Sequence, residues 1–274
     1  MSDILMGLVI DVRSRKKGGN PGGEISVNCF NRPQYYYAKH CNHSKVSKKE
    51  SSFVYTHQPI YEAVTCEMAR DLGLKFPDFF IMDNRDKSIN FRSNGLKMDI
   101  NNGKPYYFFS NLLNLGADEP QGNEMIERES IYRDLLQISD ITGRRQNYTF
   151  FEGNLIYLDV GCTFVDAHEG SIKFRTQHPK LLDKKPLKNS RKRIGRYSLV
   201  LLDGSKIDML DFVDMPRDLY IPVMTSEGDK TSKKLEDLIT SDEIDEICNR
   251  IVGGIIKKKV LQCNGNSQYL VRNE

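Results

Sequence analysis

The sequence predicts an α+β fold in which a strand-rich first part is followed by a more helical second part, joined near Ser110-Asn111. Short alternating or aromatic runs, separated by turn residues, fill the first part, and one helical pattern interrupts them. Helical periodicity becomes prominent after about residue 124. With 274 residues, the chain is long enough to bury a substantial core as one large domain or two small lobes.

Composition excludes several classes of protein. The hydrophobic share of 39% and the charged share of 28% are those of a soluble globular protein. The apolar run at residues 4–10 is too short to cross a bilayer and has no basic region ahead of it, so neither a membrane span nor a signal peptide is expected. A net charge of +3 is too small to indicate nucleic-acid binding.

The six cysteines are scattered and form no CxxC pair. This pattern argues against a zinc cage and against a disulfide framework. We therefore expect a reducing, cytosolic compartment, and delivery to the cytosol of a host cell as a secreted effector is compatible with that expectation.

Three strands are expected before residue 40, because weakly alternating or aromatic runs occupy residues 4–13, 24–30 and 35–39. A Gly-rich segment at residues 18–23 separates the first two. Glycine tolerates positive φ and Pro-Gly favours turns, so this segment is predicted to be a tight loop.

One helix is predicted in the first part, from Pro59 to Leu72, because apolar residues recur there at helical spacing. Proline suits its first turn, and Gly73 suits its end. Residues 79–82 and 106–109 are expected to form further strands.

The second part is expected to begin with a helix over residues 124–138 and a hairpin over residues 148–158, which turns at Gly153-Asn154. Further helices are predicted near residues 232–239 and 242–259.

A carboxylate, a carboxamide and a second carboxylate surround the predicted hairpin: Asp140, Asn147 and Asp159. Their oxygens suit Mg²⁺ or Mn²⁺, and the hairpin would hold Asn147 and Asp159 side by side at its base. Phosphoryl transfer from ATP needs such metal ligands and a group near the attacking hydroxyl. Aspartates beside hairpins also occur as plain turn residues, so this pattern alone leaves both interpretations open.

Lys39 ends the third predicted strand, and Glu62 lies in the helix that follows. A kinase places a strand lysine on the ATP phosphates and fixes it with a glutamate from the next helix. Each residue alone is more typical of a solvated surface. The ordered series of Gly-rich turn, strand lysine, helix glutamate, Asp…Asn and Asp-x-Gly favours the kinase interpretation.

The run from Tyr61 to Asp78, YEAVTCEMARDLGLKFPD, resembles the regulatory-helix signature of HipA-like kinases. The segments Asp140…Asn147 and Asp159-Val160-Gly161 resemble the catalytic and metal-binding loops of that family, which phosphoinositide kinases share loosely. The resemblance covers roughly residues 18–165.

The resemblance implies a bilobal protein-kinase-like fold, with a β-rich N-lobe (1–110) that carries one regulatory helix and a mostly helical C-lobe (111–274). It implies ATP-dependent phosphorylation of protein Ser/Thr, with autophosphorylation. Carried over, the catalytic residues are Lys39, Glu62 and the base Asp140, and the Mg²⁺ or Mn²⁺ ligands are Asn147 and Asp159. Tyr106–Ser110 would be the hinge that pairs with adenine, so the nucleotide-binding set is Lys39, Gly19, Gly22, Tyr107, Phe108 and Phe109.

The chain departs from the family pattern at several points. Two extra residues separate Asp140 from Asn147, which makes Asp134 the alternative base. The usual histidine of this loop is missing, and Arg144 or Arg145 could take its place against phosphate. The Gly-rich turn matches neither GxGxxG nor a P-loop.

A basic cluster follows the predicted metal-binding loop and contains Lys184, Lys185, Lys188, Arg191, Lys192 and Arg193. Such a cluster is either a solvated face or a site for a polyanion, for example an inositol polyphosphate or an acidic lipid head group. Few aromatic residues lie within it, which disfavours single-stranded nucleic acid. In the second case, a phosphate-rich ligand bound there would order the active site.

Three functions remain open at this point. The first is a protein Ser/Thr kinase. The second is a phosphoinositide or small-molecule kinase, which shares the Asp…Asn…Asp layout. The third is a pseudokinase that keeps the fold as a binding module without chemistry.

Overall fold

The computed structural model describes residues 9–13, 22–29, 32–41, 53–92, 100, 103–113, 122–136, 138, 147–160, 166–168, 171–173, 184–225, 228–257, 260–262 and 268–273. The helices within these residues are α1 (Gln58–Asp71), α2 (Gly122–Arg128), α3 (Ser130–Leu136), α4 (Lys184–Ile194), α5 (Met209–Asp214) and α6 (Ser241–Lys257). The strands are β1 (Val9–Val12), β2 (Gly22–Cys29), β3 (Arg32–His40), β4 (Phe79–Asp83), β5 (Asn90–Arg92), β6 (Tyr106–Asn111), β7 (Tyr148–Phe151), β8 (Asn154–Tyr157), β9 (Asp166–His168), β10 (Ser171–Lys173), β11 (Tyr197–Val200), β12 (Lys206–Asp208), β13 (Tyr220–Met224), β14 (Lys230–Lys234) and β15 (Leu270–Arg272).

The α+β prediction is confirmed by a large sheet accompanied by helices. Within the described residues, eight strands form this sheet in the order β14-β13-β4-β6-β3-β2-β1-β5. The interior strands β3 and β6 pair antiparallel, as do β4 and β6. Strands β2, β3, β4 and β6 arise where alternating or aromatic runs predict them.

The sheet is not confined to the predicted N-lobe of residues 1–110. Strands β13 and β14 return from residues 220–234, and β13 pairs in parallel with β4. The two-lobe division stays a prediction, but the second part of the chain contributes the edge of this sheet.

The predicted helix near residues 232–239 is wrong. Lys230–Lys234 forms β14, antiparallel to β13, and a single 3-10 turn follows at Leu235–Asp237. Every residue of β14 is at least partly exposed, as suits a short edge strand rich in lysine. The predicted helix over 124–138 is interrupted at Glu129, where α2 ends and α3 begins.

Helix α1 lies between the sheet and the helices of the second part. Nearly every residue of α1 is buried, including Glu62, which is unusual for a helix of a small protein. It packs on the face of the sheet that carries Phe108 and Ile81, and on its other side it meets α3. At its end the amides of Gly73 and Leu74 bond back to the carbonyls of Arg70 and Ala69. Gly73 has a φ of +89°, so it caps the helix as the sequence predicts.

The sheet has a second core on its opposite face. Residues that alternate with those beneath α1 point there, among them Ile25, Tyr36, Tyr107 and Phe109. The sheet is therefore buried on both faces around its central strands, which makes β3 and β6 rigid supports for any side chain that they carry.

Gly22 allows the close approach of β2 to β3. A Cβ atom at this position would lie 2.4 Å from the backbone carbonyl oxygen of Ala38. We expect Gly22→Ala to lower the free energy of unfolding by about 1–3 kcal/mol, because the clash is with backbone held in the sheet. Urea denaturation measures the loss.

Gly195→Ala is the matched control for this substitution. Its Cβ would lie 2.6 Å from the Cδ1 atom of Leu210, the movable end of a side chain. Both substitutions remove the same backbone freedom from the unfolded chain. A loss for Gly22→Ala no larger than that for Gly195→Ala would contradict the proposed close approach.

Candidate active site

Lys39 and Glu62 form a buried ion pair between the sheet and α1. Lys39 lies near the end of β3, and its Nζ atom is 2.7 Å from Oε1 of Glu62 on α1. Both side chains are buried, with exposed fractions of 7% and 6%. The other glutamate of this helix, Glu67, pairs instead with Arg70. The structure thus places the two residues of the predicted pair in direct contact.

Asp159 reaches the same lysine from the β7–β8 hairpin. Its Oδ1 atom lies 3.2 Å from Nζ of Lys39, and its side chain is 32% exposed. The amides of Leu158 and Asp159 both donate to the carbonyl of Asn147, at 2.8 and 3.3 Å. The hairpin therefore holds Asn147 and Asp159 side by side at its base, next to the buried ion pair.

The electrostatics of this cluster follow from two carboxylates that share one ammonium. Burial opposes the charge on Lys39, but Asp159 and Glu62 together more than offset it, so the pKa of the ammonium lies above its ordinary value. Burial raises the pKa of Glu62 to about 7, and attraction to Lys39 offsets this only in part. Lys39 thus stays charged at neutral pH, whereas Glu62 titrates close to it.

Residues of β2, β3 and β6 surround Lys39 on its face of the sheet. Directly opposite Lys39 lie Gly22 on β2 and Phe108 on β6, whose ring centre is 5.6 Å from Nζ. Two residues earlier on the same face, Tyr37 lies opposite Glu24 and Ser110. Because side chains alternate along a strand, the sequence could have placed Tyr37 on the same face of β3 as Lys39.

The predicted adenine hinge requires a correction. Tyr106–Ser110 lies inside the sheet and pairs with β3 on one side and with β4 on the other, so its backbone groups are already bonded. Of the three predicted aromatic residues, only Phe108 faces Lys39. Tyr107 and Phe109 point into the core on the opposite face and cannot contact a nucleotide beside Lys39. The chain leaves the sheet after Asn111, at Leu112 and Leu113.

Two predicted site residues, Asp140 and Gly19, lie outside the described residues, as do Arg144 and Arg145. The alternative base Asp134 is a partly buried residue of α3. The choice between Asp140 and Asp134 therefore stays a prediction.

The predicted basic cluster lies on α4. Lys188, Lys192 and Arg193 are exposed, whereas Arg191 forms an ion pair with Asp214 of α5. Lys184 and Lys185 occupy the first turn of the helix. Arg191 therefore already has an internal partner, and the exposed charges are those of its neighbours.

Among the described residues, no group of three or more His, Cys, Asp or Glu side chains is placed to hold a metal ion. In the same part of the chain, no helix combines the length and apolar character that a membrane span requires.

Comparisons with known proteins add little to this geometry. No protein-family model matches the chain, and no curated protein matches it. The crystal structure of a Helicobacter pylori proinflammatory kinase, CtkA, aligns over 92% of each chain, with 13% identity and a TM-score of 0.31. A TM-score of 0.31 lies below the range of shared folds, so this likeness does not assign a function.

The raised pKa of Glu62 predicts a particular pH dependence of stability. The folded chain holds the proton of Glu62 more tightly than the unfolded chain does, so the contribution is full below about pH 4.5 and is lost as the pH rises through about 7. Measured by urea denaturation, the stability of the wild type relative to Glu62→Gln should be greater at pH 5 than at pH 8.

Asp83→Asn is a control for which the pH dependence of stability should have the opposite sign. Burial raises the pKa of Asp83, but hydrogen bonds from Arg85 and Lys233 more than offset this and leave it below the ordinary value. Relative to Asp83→Asn, the wild type should therefore lose stability as the pH falls through the folded pKa. The same pH trend for both pairs would contradict the assignment for Glu62.

Proposed function

We propose that this chain is an ATP-dependent kinase whose phosphate-binding lysine is Lys39. The observation that carries the proposal is the contact of one buried ammonium with Glu62 from a helix and with Asp159 from a hairpin base. A strand lysine fixed by a helix glutamate, beside a metal-binding aspartate, is the arrangement that positions ATP phosphates in kinases.

Asn147 and Asp159 would hold Mg²⁺ or Mn²⁺. Their donor set fits, because a carboxylate and a carboxamide offer hard oxygens, and Mg²⁺ usually takes one or two protein ligands together with phosphates and waters. The side chain of Asp159 is 32% exposed, so a ligand can approach it from solvent. When bound, the ion would neutralise phosphate charge during transfer.

Each of the other site residues has its own proposed role in phosphate transfer. Lys39 would bind the α- and β-phosphates, and Glu62 would orient Lys39. Asp140, or Asp134 in its place, would accept the proton of the attacking hydroxyl as the bond between the γ-phosphorus and the leaving ADP oxygen breaks. Gly22, opposite Lys39 on the neighbouring strand, would contribute its backbone to the phosphate-binding surface.

We propose protein Ser/Thr hydroxyls as the acceptors, including hydroxyls of this chain itself, on the strength of the resemblance to HipA-like kinases. The exposed lysines and Arg193 of α4 support an added regulatory site for a phosphate-rich ligand such as an inositol polyphosphate.

Transfer of labelled phosphate from ATP tests the proposal. The wild type should label itself or an acceptor protein with Mg²⁺ or Mn²⁺, and Asp159→Ala should reduce the rate by about a hundredfold or more. Asp229→Ala, which removes an exposed carboxylate from the β13–β14 turn, should leave the rate unchanged.

The arms of this experiment separate the alternatives. Labelling of a phosphoinositide or a small molecule but of no protein would replace the proposed acceptor. Stimulation by inositol hexakisphosphate that is lost in Lys188→Ala/Lys192→Ala would support the regulatory site. Nucleotide binding with no transfer under any condition would contradict the kinase proposal and indicate a pseudokinase.

A further inference from the structure

Glu243 is a fully buried carboxylate at the start of α6, far along the chain from the candidate site. Its Oε2 atom accepts from the amide and the hydroxyl of Thr240, at 3.0 and 2.9 Å, and its own amide donates to the Thr240 hydroxyl at 3.3 Å. This is a reciprocal capping box, and the sequence Thr-Ser-Asp-Glu is typical of that motif. A cap alone, however, does not require a buried glutamate.

The other oxygen of Glu243 bonds to the beginning of α1. Oε1 accepts from the hydroxyl of Tyr61 and from Nδ1 of His57, the latter at 2.8 Å. Tyr61 directly precedes Glu62, and His57 directly precedes α1. One carboxylate therefore joins the first turn of α6 to the turn of α1 that carries Glu62.

Aromatic rings pack around Tyr61 and His57, the two residues of α1 and its preceding turn that bond to Glu243. The Phe53 ring packs on Tyr61 with ring centres 4.7 Å apart, and the guanidinium of Arg250 on α6 lies 4.9 Å from the centre of the Phe53 ring. The His57 ring stacks edge-on against Tyr106 of β6 at 5.5 Å. The start of α1 is thus fixed against both α6 and the sheet.

Glu243 makes these bonds as a charged group. Burial raises its pKa, but the bonds from His57, Tyr61 and Thr240 more than offset that effect and leave the pKa below its ordinary value. Hydrogen bonds to a buried carboxylate are stronger than those between neutral groups. Loss of one donor would leave the charge incompletely satisfied in the core.

The reach of Glu62 to Lys39 depends on where α1 sits. Lys39 belongs to an interior strand, whereas Glu62 moves with its helix, so a small rotation or shift of α1 would open the 2.7 Å contact. We infer that Glu243 is a positioning residue, which holds α1 through Tyr61 and His57 and thereby keeps Glu62 on Lys39. The consequence for catalysis rests on the proposed kinase function.

Tyr61→Phe tests this inference, because it removes the hydroxyl that bonds to Glu243 and to the backbone of Val54 but keeps the ring against Phe53. Hydrogen–deuterium exchange of the amides in residues 58–71 should accelerate about tenfold. The kcat for phosphate transfer should fall by about threefold to thirtyfold, with a smaller change in KM for ATP. Glu243→Gln should reproduce both effects.

Tyr132→Phe is the matched control, since it also removes a buried hydroxyl bond, here to the carbonyl of Val200 at 2.7 Å. It should lower the melting temperature to a similar extent, yet leave exchange in α1 and kcat unchanged. The double variant Tyr61→Phe/Glu243→Gln should lose less kcat than the two single losses multiplied together, because both substitutions weaken the contact between Tyr61 and Glu243.

Two results would overturn the inference: exchange in α1 that is unchanged by Tyr61→Phe, or effects that Tyr132→Phe reproduces. The exchange measurement needs no activity. If the wild type transfers no phosphate, accelerated exchange in α1 would still support the link from Glu243 to α1 while the kinase proposal fails.

Discussion

The arrangement of this chain depends on one buried ammonium. Lys39 cannot stay charged in the core without opposite charge beside it, and the two carboxylates that supply it come from α1 and from the base of the β7–β8 hairpin. Three elements far apart in sequence thus converge on one atom. Two carboxyl groups thus face one ammonium, and one of them belongs to a partly exposed aspartate, which suits a site that receives a cation.

The strand that carries Lys39 and the helix that carries Glu62 are held in place by different contacts. Lys39 stands on a strand with sheet neighbours on both sides and cores on both faces, whereas Glu62 stands on a helix that must be held by its own contacts. Helix α6 provides such contacts through Glu243. The second part of the chain also extends the sheet with β13 and β14, so it supports the site both from the sheet edge and through the helix.

The sequence identified the members of the cluster better than it identified their surroundings. Strand and helix periodicity place Lys39 on a strand and Glu62 on the helix that follows it. The two-residue turn of the β7–β8 hairpin brings Asn147 and Asp159 together. Both features can be predicted because they depend on residues close together in the sequence. The error at Tyr107 and Phe109 arose because the family resemblance placed a hinge over a stretch that is an interior strand, in which neighbouring side chains alternate between the two faces of the sheet. Strand β14 was missed because its lysines and hydroxyl residues suit an edge strand or a polar helix equally. The contact of Glu243 with Tyr61 spans 182 positions and follows from packing alone.

A crystal structure with a non-hydrolysable ATP analogue and Mn²⁺, in which anomalous scattering locates the metal, would test the proposed nucleotide and metal site at Lys39 and Asp159. We expect Mn²⁺ in direct coordination with Asp159 and Asn147, and a phosphate oxygen in hydrogen-bond contact with Nζ of Lys39 while Glu62 keeps its bond. Nucleotide and metal bound elsewhere, with the contact between Lys39 and Asp159 unchanged, would contradict the proposed site.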